Sequence, residues 1–197
     1  DHETVKIKKV YKLEGAGTSP VETFTLKQVG DGTVTNGEAT SAPALGTITG
    51  AAFAEGAATA NGTTGEITVA LPEYTSVGVY EYTLQEVAGT TAGVAYYGKT
   101  IKLVVTVVNG TDGNIRVAAV HTESEDEVKS DKFENTYSAG TLTVKKTVTG
   151  NLGDKKKEFD FTVTFAAPEG KNWTPAIGAS EGATMVEDNP MSYTFKL

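Results

Sequence analysis

The chain has 197 residues, no cysteine, a formal net charge of −8 and a pI near 4.8. The lack of thiols excludes disulfides, thiolate zinc sites, thioesters and cysteine nucleophiles. The acidic balance argues against nucleic acid or an anionic membrane surface as partner. Hydrophobic residues make up 39% of the chain, enough for a packed core, and Thr and Gly use with few helix signals reads as all-β.

Period-two runs predict strands at 4–13, 22–29, 44–49, 66–71, 77–87, 99–108, 114–121 and 131–137. In the first, Val5, Ile7, Lys9 and Tyr11 share the apolar face, and Lys8 points to solvent. The stretch 30–65 is rich in Gly, Ala, Thr and Asn and reads as long loops holding short strands. In the run Val79-Tyr80-Glu81-Tyr82-Thr83-Leu84-Gln85-Glu86, the alternation of Tyr80, Tyr82 and Leu84 carries Glu86 inward. Asn109 to Asn114 forms a hairpin connection between two apolar segments. In Phe133-Glu134-Asn135-Thr136-Tyr137, the flanking aromatics turn Asn135 inward. Ser138-Ala139-Gly140 is a short hinge, and a second domain then offers strands near 141–149, 158–166 and 191–197. The Lys155-Lys156-Lys157 run reads as a solvated turn.

The first strand is written twice. Thr-Val-Lys-Ile-Lys-Lys-Val-Tyr at 4–11 matches Thr-Leu-Thr-Val-Lys-Lys-Thr-Val at 141–148, and the same offset aligns Phe24-Thr25-Leu26 with Phe161-Thr162-Val163. The second copy places Lys146 on the face of Leu142, Val144 and Val148, with Lys145 outward. The expected organisation is therefore a complete domain over 1–138 and the leading, incomplete part of a similar one over 139–197. No signal peptide is visible, so a mature or trimmed chain is expected. No apolar run is long enough to span a bilayer, and no membrane partner is expected for this segment.

Eight short strands with Gly-rich connections suggest an antiparallel, immunoglobulin-like sandwich, and a lysine set twice on a core face needs a reason. The first-strand lysine, the Tyr-x-Tyr-Thr-Leu-x-Glu segment and the closing Phe-x-Asn-Thr-Tyr segment resemble the isopeptide-linkage domains of Gram-positive pilins, the streptococcal major pilin type in particular. The resemblance covers 4–137 as a full domain and 141–197 as part of a second. It implies tandem sandwiches of the CNA-B-like, reverse immunoglobulin type. It also implies that Lys9 and Asn135 fuse into an intramolecular amide assisted by Glu86, without cofactor or metal. Burial would push the lysine amine down and the glutamate carboxyl up, giving a neutral nucleophile and an acid able to polarise the carboxamide. Folding supplies the orientation, worth effective molarities of roughly 10⁵–10⁸ M. The equivalent lysine of the second copy, Lys146, finds no matching Glu or Asn before residue 197 and is expected to be unbonded.

The function implied is structural: a secreted pilus shaft subunit on a Gram-positive cell wall, not an enzyme, joined by sortase to neighbouring subunits and to peptidoglycan. Lys129 lies where the streptococcal type carries its sortase-acceptor lysine, with Lys132 as competitor; the Tyr-Pro-Lys-Asn motif of other pilins is absent. A second reading is the stalk or ligand-binding module of a wall-anchored adhesin, with the 30–65 loops or Trp173 contacting a host ligand. A carbohydrate-active enzyme is a third, but it lacks a pair of cleft carboxylates. Each polar residue also has a plainer account: a lysine that snorkels, a glutamate at a strand end, an asparagine in a turn. Leu71-Pro72-Glu73-Tyr74-Thr75 is not a sorting signal, since its threonine is one place late. Asn61-Gly62-Thr63 and Asn109-Gly110-Thr111 are turns before they are glycosylation sequons. His2 and His121 are too few for a metal or triad site, and the acidic run Glu123, Glu125, Asp126, Glu127 lacks chelating spacing.

Overall fold

The structure is a computed structural model that describes residues 3–140, 142–150, 154, 156–170, 175 and 182–197. Packing divides the chain into two units, residues 1–89 with 93–139, and residues 90–92 with 140–197.

The first unit is a β-sandwich. One sheet holds β1 (Thr4–Gly15) at its centre. Other strands before the chain midpoint are β2 (Glu22–Phe24), β3 (Leu26–Gln28), β4 (Thr33–Thr35), β5 (Ile48–Thr49), β6 (Ala51–Phe53), β7 (Thr63–Ala70) and β8 (Gly78–Glu86). There follow β9 (Val94–Ala95), β10 (Thr100–Asn109), β11 (Ile115–Ser124) and β12 (Lys132–Ala139). The first sheet runs β5-β7-β1-β12-β9, and the second runs β11-β10-β8-β3 with β4 also on β8. β2 and β6 form a separate ribbon.

First and last strands are neighbours. β1 pairs with β12 in parallel over Lys8↔Lys132 to Gly15↔Ala139, and with β7 antiparallel on its other side. A parallel pair requires a long connection, and here the whole domain is that connection.

The core lies between the sheets. Ile7, Tyr11, Ile67 and Val69 of the first sheet face Tyr80, Tyr82, Leu84, Ile101, Leu103 and Val105 of the second, all essentially inaccessible. Tyr11, Phe24 and Phe53 form an aromatic cluster with ring centroids 5.0–5.7 Å apart. The Tyr11 hydroxyl is buried with no hydrogen-bond partner among the described residues, and burial raises it above the usual phenol range.

Several predicted boundaries shift. The run 22–29 divides into β2 and β3, because Phe24 and Leu26 are both buried while β2 pairs with β6 and β3 with β8. Only Ile48–Thr49 of the 44–49 segment is strand, and β11 continues to Ser124.

The second unit holds β13 (Asp160–Thr164), β14 (Thr184–Val186) and β15 (Asn189–Lys196), ordered β13-β15-β14. The strand predicted at 141–149 is not formed: 142–149 is irregular, with Leu142 64% and Val144 38% exposed. Apolar alternation alone does not make a strand; it needs a ladder partner, and none is present among the described residues. β14 was not predicted. Trp173 and Lys155 lie outside the described residues, as does His2.

Candidate functional site

β1, β8 and β12 each deliver one polar side chain to the same point of the core. Parallel register sets Tyr11 opposite Asn135 and Lys9 opposite Phe133, so Lys9 and Asn135 lie on the same face two positions apart. Glu86 ends β8 in the facing sheet, opposite Leu26. The Lys9 and Glu86 side chains are 1% and 0% exposed, and Asn135 is as deeply buried.

The three groups are mutually bonded. The Lys9 amine donates to Glu86 Oε2 and, at 2.6 Å, to Asn135 Oδ1. Asn135 Nδ2 donates to Glu86 Oε1 at 2.5 Å. The main-chain N–H of Tyr97 donates to both Glu86 Oε1 and Asn135 Oδ1, at 3.0 Å each. Aromatic rings wall the amine: its nitrogen is 5.4 Å from the Phe24 centroid and 5.5 Å from that of Tyr97, and Phe133 packs edge-on to Tyr97 at 5.2 Å. Burial pulls the Lys9 amine below the ordinary lysine range, outweighing the upward pull of the Glu86 carboxylate. An amine that can shed its proton beside a carboxyl and a polarised carboxamide is equipped for acyl transfer.

The sequence-predicted trio, Lys9, Glu86 and Asn135, therefore converges. Tyr97 was missed, and no sequence signal could have revealed it, since every non-proline residue carries the same N–H.

The other candidates lie elsewhere. Lys129 is exposed in the connection between β11 and β12, bridged to Glu123, and lines a groove of about 310 Å³ with Val5, Lys6, Val120, His121 and Asp131. Lys132 opens β12, exposed and opposite Lys8. In the second unit, half-exposed Lys146 donates to the carbonyls of Lys157 (3.0 Å) and Leu197 (3.4 Å) and sits 3.2 Å from the Phe159 ring centroid. His121 bonds Glu123 at 2.8 Å. No cluster of metal-ligating side chains occurs among the described residues, and no helix there is long and apolar enough to cross a membrane.

This is an immunoglobulin-like β-sandwich with a Lys-Glu-Asn group sealed between its first, middle and last strands. The chain belongs to the family of Spy0128-like isopeptide containing domains, which matches residues 5–138. Residues 140–197 match a domain of unknown function, DUF7601. The fold is shared with the major pilin of Streptococcus pyogenes (TM-score 0.65, 22% identity, covering 100% of this chain and 75% of that one). It is also shared with the T3.2 major pilin of S. pyogenes (TM-score 0.58, 21% identity, 99% and 74%). A stretch of 55 residues is 36% identical to the pilus tip adhesin Cpa of S. pyogenes, spanning 28% of this chain and 8% of the adhesin.

Proposed function

We propose that this chain is a structural subunit of a cell-surface pilus shaft, braced by an amide that forms spontaneously between Lys9 and Asn135. The observation that carries the reading is the buried Lys9–Glu86–Asn135 network on three different strands. A buried charged pair gives a fold little net stability, and an apolar trio would pack the site at lower cost.

The Lys9–Glu86 pair shares one proton between amine and carboxyl. With the proton on Glu86, the neutral Lys9 Nζ attacks Asn135 Cγ, while the carboxyl hydrogen polarises the carboxamide and then protonates Nδ2. Glu86 takes a proton back from Nζ, the Cγ–Nδ2 bond breaks, and ammonia leaves. One bond forms, one breaks, and Glu86 is regenerated. The chemistry is single-turnover and self-directed, so the protein is no enzyme in the ordinary sense, and none of these steps calls for a cofactor.

Neighbouring subunits joined by sortase, a link to cell-wall peptidoglycan and an extracellular location follow from this reading. Lys129, which lies shortly before the asparagine strand and lines an open groove, is the preferred acceptor over Lys132. In the same reading residues 139–197 contribute to a second domain of the fibre. A second reading, the stalk of a surface adhesin that binds a host ligand, is favoured by the similarity to the tip adhesin. Polymers isolated from the cell surface and digested with protease separate the two: a branched peptide at Lys129 or Lys132 supports the shaft, and its absence supports the stalk.

The test of the bond is intact mass. The folded protein is expected to be lighter than its sequence by one ammonia, and Lys9→Ala or Glu86→Ala to restore the full mass. An unmodified mass for the folded wild type sinks the proposal.

A further inference from the structure

We propose that the main-chain N–H of Tyr97 is a catalytic donor in the closure reaction, holding the Asn135 carbonyl oxygen and stabilising the charge that gathers there as Lys9 attacks. This rests on the Lys9–Asn135 reading and adds a fourth group to it.

The donor is where it is because a ladder stops. β9 pairs with β12 only through Val94↔Tyr137 and Ala95↔Thr136. One step further would bring the chain level with Asn135, and there it leaves the sheet. The N–H of Tyr97, which a continuing strand would direct along the ladder, instead donates to two side-chain oxygens of the buried site. Both ends of the segment are pinned. Gly93 holds φ +80 at its start, where a Cβ would stand 2.7 Å from the Ser138 carbonyl oxygen. The Tyr96 hydroxyl donates to Glu22 at 3.1 Å, and the Tyr97 ring is set against Phe133. A donor fixed in advance in a dry site needs no reorganisation when charge develops.

Its first effect is to orient the carboxamide. A peptide N–H can only donate, so the Asn135 atom facing it must be the oxygen. That turns Nδ2, the leaving nitrogen, onto Glu86 Oε1, the group that has to protonate it. Its second effect is on the barrier. In the ground state the N–H is shared at equal distances between Glu86 Oε1 and Asn135 Oδ1. When Nζ–Cγ bonding drives the carbonyl electron pair onto Oδ1, the shared donor meets a full negative charge. The interaction is stronger in the transition state than before it, the condition for acceleration.

The experiment deletes the hydrogen-bond donor and keeps the side chain. Tyr97 is replaced by its α-hydroxy acid through nonsense suppression in cell-free synthesis, which turns the 96–97 peptide into an ester and keeps the ring. The protein is collected in denaturant and refolded, and closure is followed by intact mass beside wild type. The ester is expected to close roughly 10²–10³-fold more slowly than wild type. To separate catalysis from misfolding, the ester and wild type are also compared in a Glu86→Ala background, where neither closes; equal melting temperatures there are expected. An ester that closes at the wild-type rate overturns the Tyr97 role while leaving the bond itself intact. A slow ester whose open form also melts well below its control overturns it too, in favour of a structural role. A wild type that never loses ammonia overturns the underlying reading and this one with it.

Discussion

At the scale of single residues, Lys9 and Glu86 matter because neither can reach water. In bulk water the amine would hold its proton to about pH 10.5; in the core, burial lowers that limit. The proton inventory then fixes the sign of the pH response. The reactive pair holds one proton, and moving it from amine to carboxyl changes no net charge, so closure is level in pH while that proton is retained. As pH rises through the lowered Lys9 value the pair loses the proton, Glu86 can no longer supply the leaving nitrogen, and closure slows. Quenched refolding followed by mass should therefore place the alkaline fall below 10.5, the ordinary lysine value; a rate still rising at that pH contradicts the assignment. Glu86→Gln sharpens the point: it keeps the shape and most hydrogen bonds, yet cannot exchange a proton, and should remain open indefinitely by the same assay. All three side chains were legible in the sequence because alternation set polar residues among Ile7, Tyr11, Tyr80, Tyr82, Phe133 and Tyr137. The Tyr97 N–H was not legible, since its role comes from where a ladder ends.

At the scale of elements, the parallel β1–β12 pair makes the chemistry geometrically available. One slip of register would turn Asn135 to the other face. The strands themselves were readable from periodicity, but their pairing was not, because β1 and β12 lie at opposite ends of the domain and nothing local specifies that they meet. Periodicity also misled at 141–149, where the same signature as β1 is present and Leu142 and Val144 remain exposed. A strand is a relation between segments, and a repeated signature alone does not supply the partner. The two-residue β9 is the opposite case, too short to read yet positioned beside Asn135. Gly93→Ala tests its contribution. A side chain at φ +80 costs about 1–2 kcal/mol, and the added Cβ would press on the Ser138 carbonyl and the Tyr137 ring. Displacing β9 should slow closure at least several-fold while the final product still lacks one ammonia. An unaffected rate would mean that the turn does not position the 94–97 segment.

At the scale of the whole domain, the proposed amide, between positions 126 apart along the chain, would do two separable things. Closing so long a loop removes denatured-state entropy worth roughly 5 kcal/mol on the chain-entropy relation. Asn135→Ala measures this best, because it leaves the Lys9–Glu86 pair in place, whereas Lys9→Ala strands a buried carboxylate at a further cost of about 3–5 kcal/mol. A fall in melting temperature of roughly 10–20 °C is expected for Asn135→Ala, and a larger one for Lys9→Ala. The second effect is mechanical. Tension applied at Thr4 and at Ala139 enters the domain on adjacent strands, runs in along β1 for five residues to Lys9 and leaves along β12 from Asn135. With the amide in place, that path is covalent throughout, and the sheets between residues 10 and 134 bear no load. Without it, the same pull shears β1 against β12, held only by ladder hydrogen bonds and packing. Single-molecule stretching of residues 4–139 between stiff handles should thus give no unfolding step for wild type. Glu86→Ala should release roughly 420–450 Å of chain in one event, the contour of the 126-residue loop at about 3.3–3.6 Å per residue. A wild type that extends like Glu86→Ala would show that load does not pass through Lys9 and Asn135. The fold would then be a sandwich with a polar core and no mechanical short circuit.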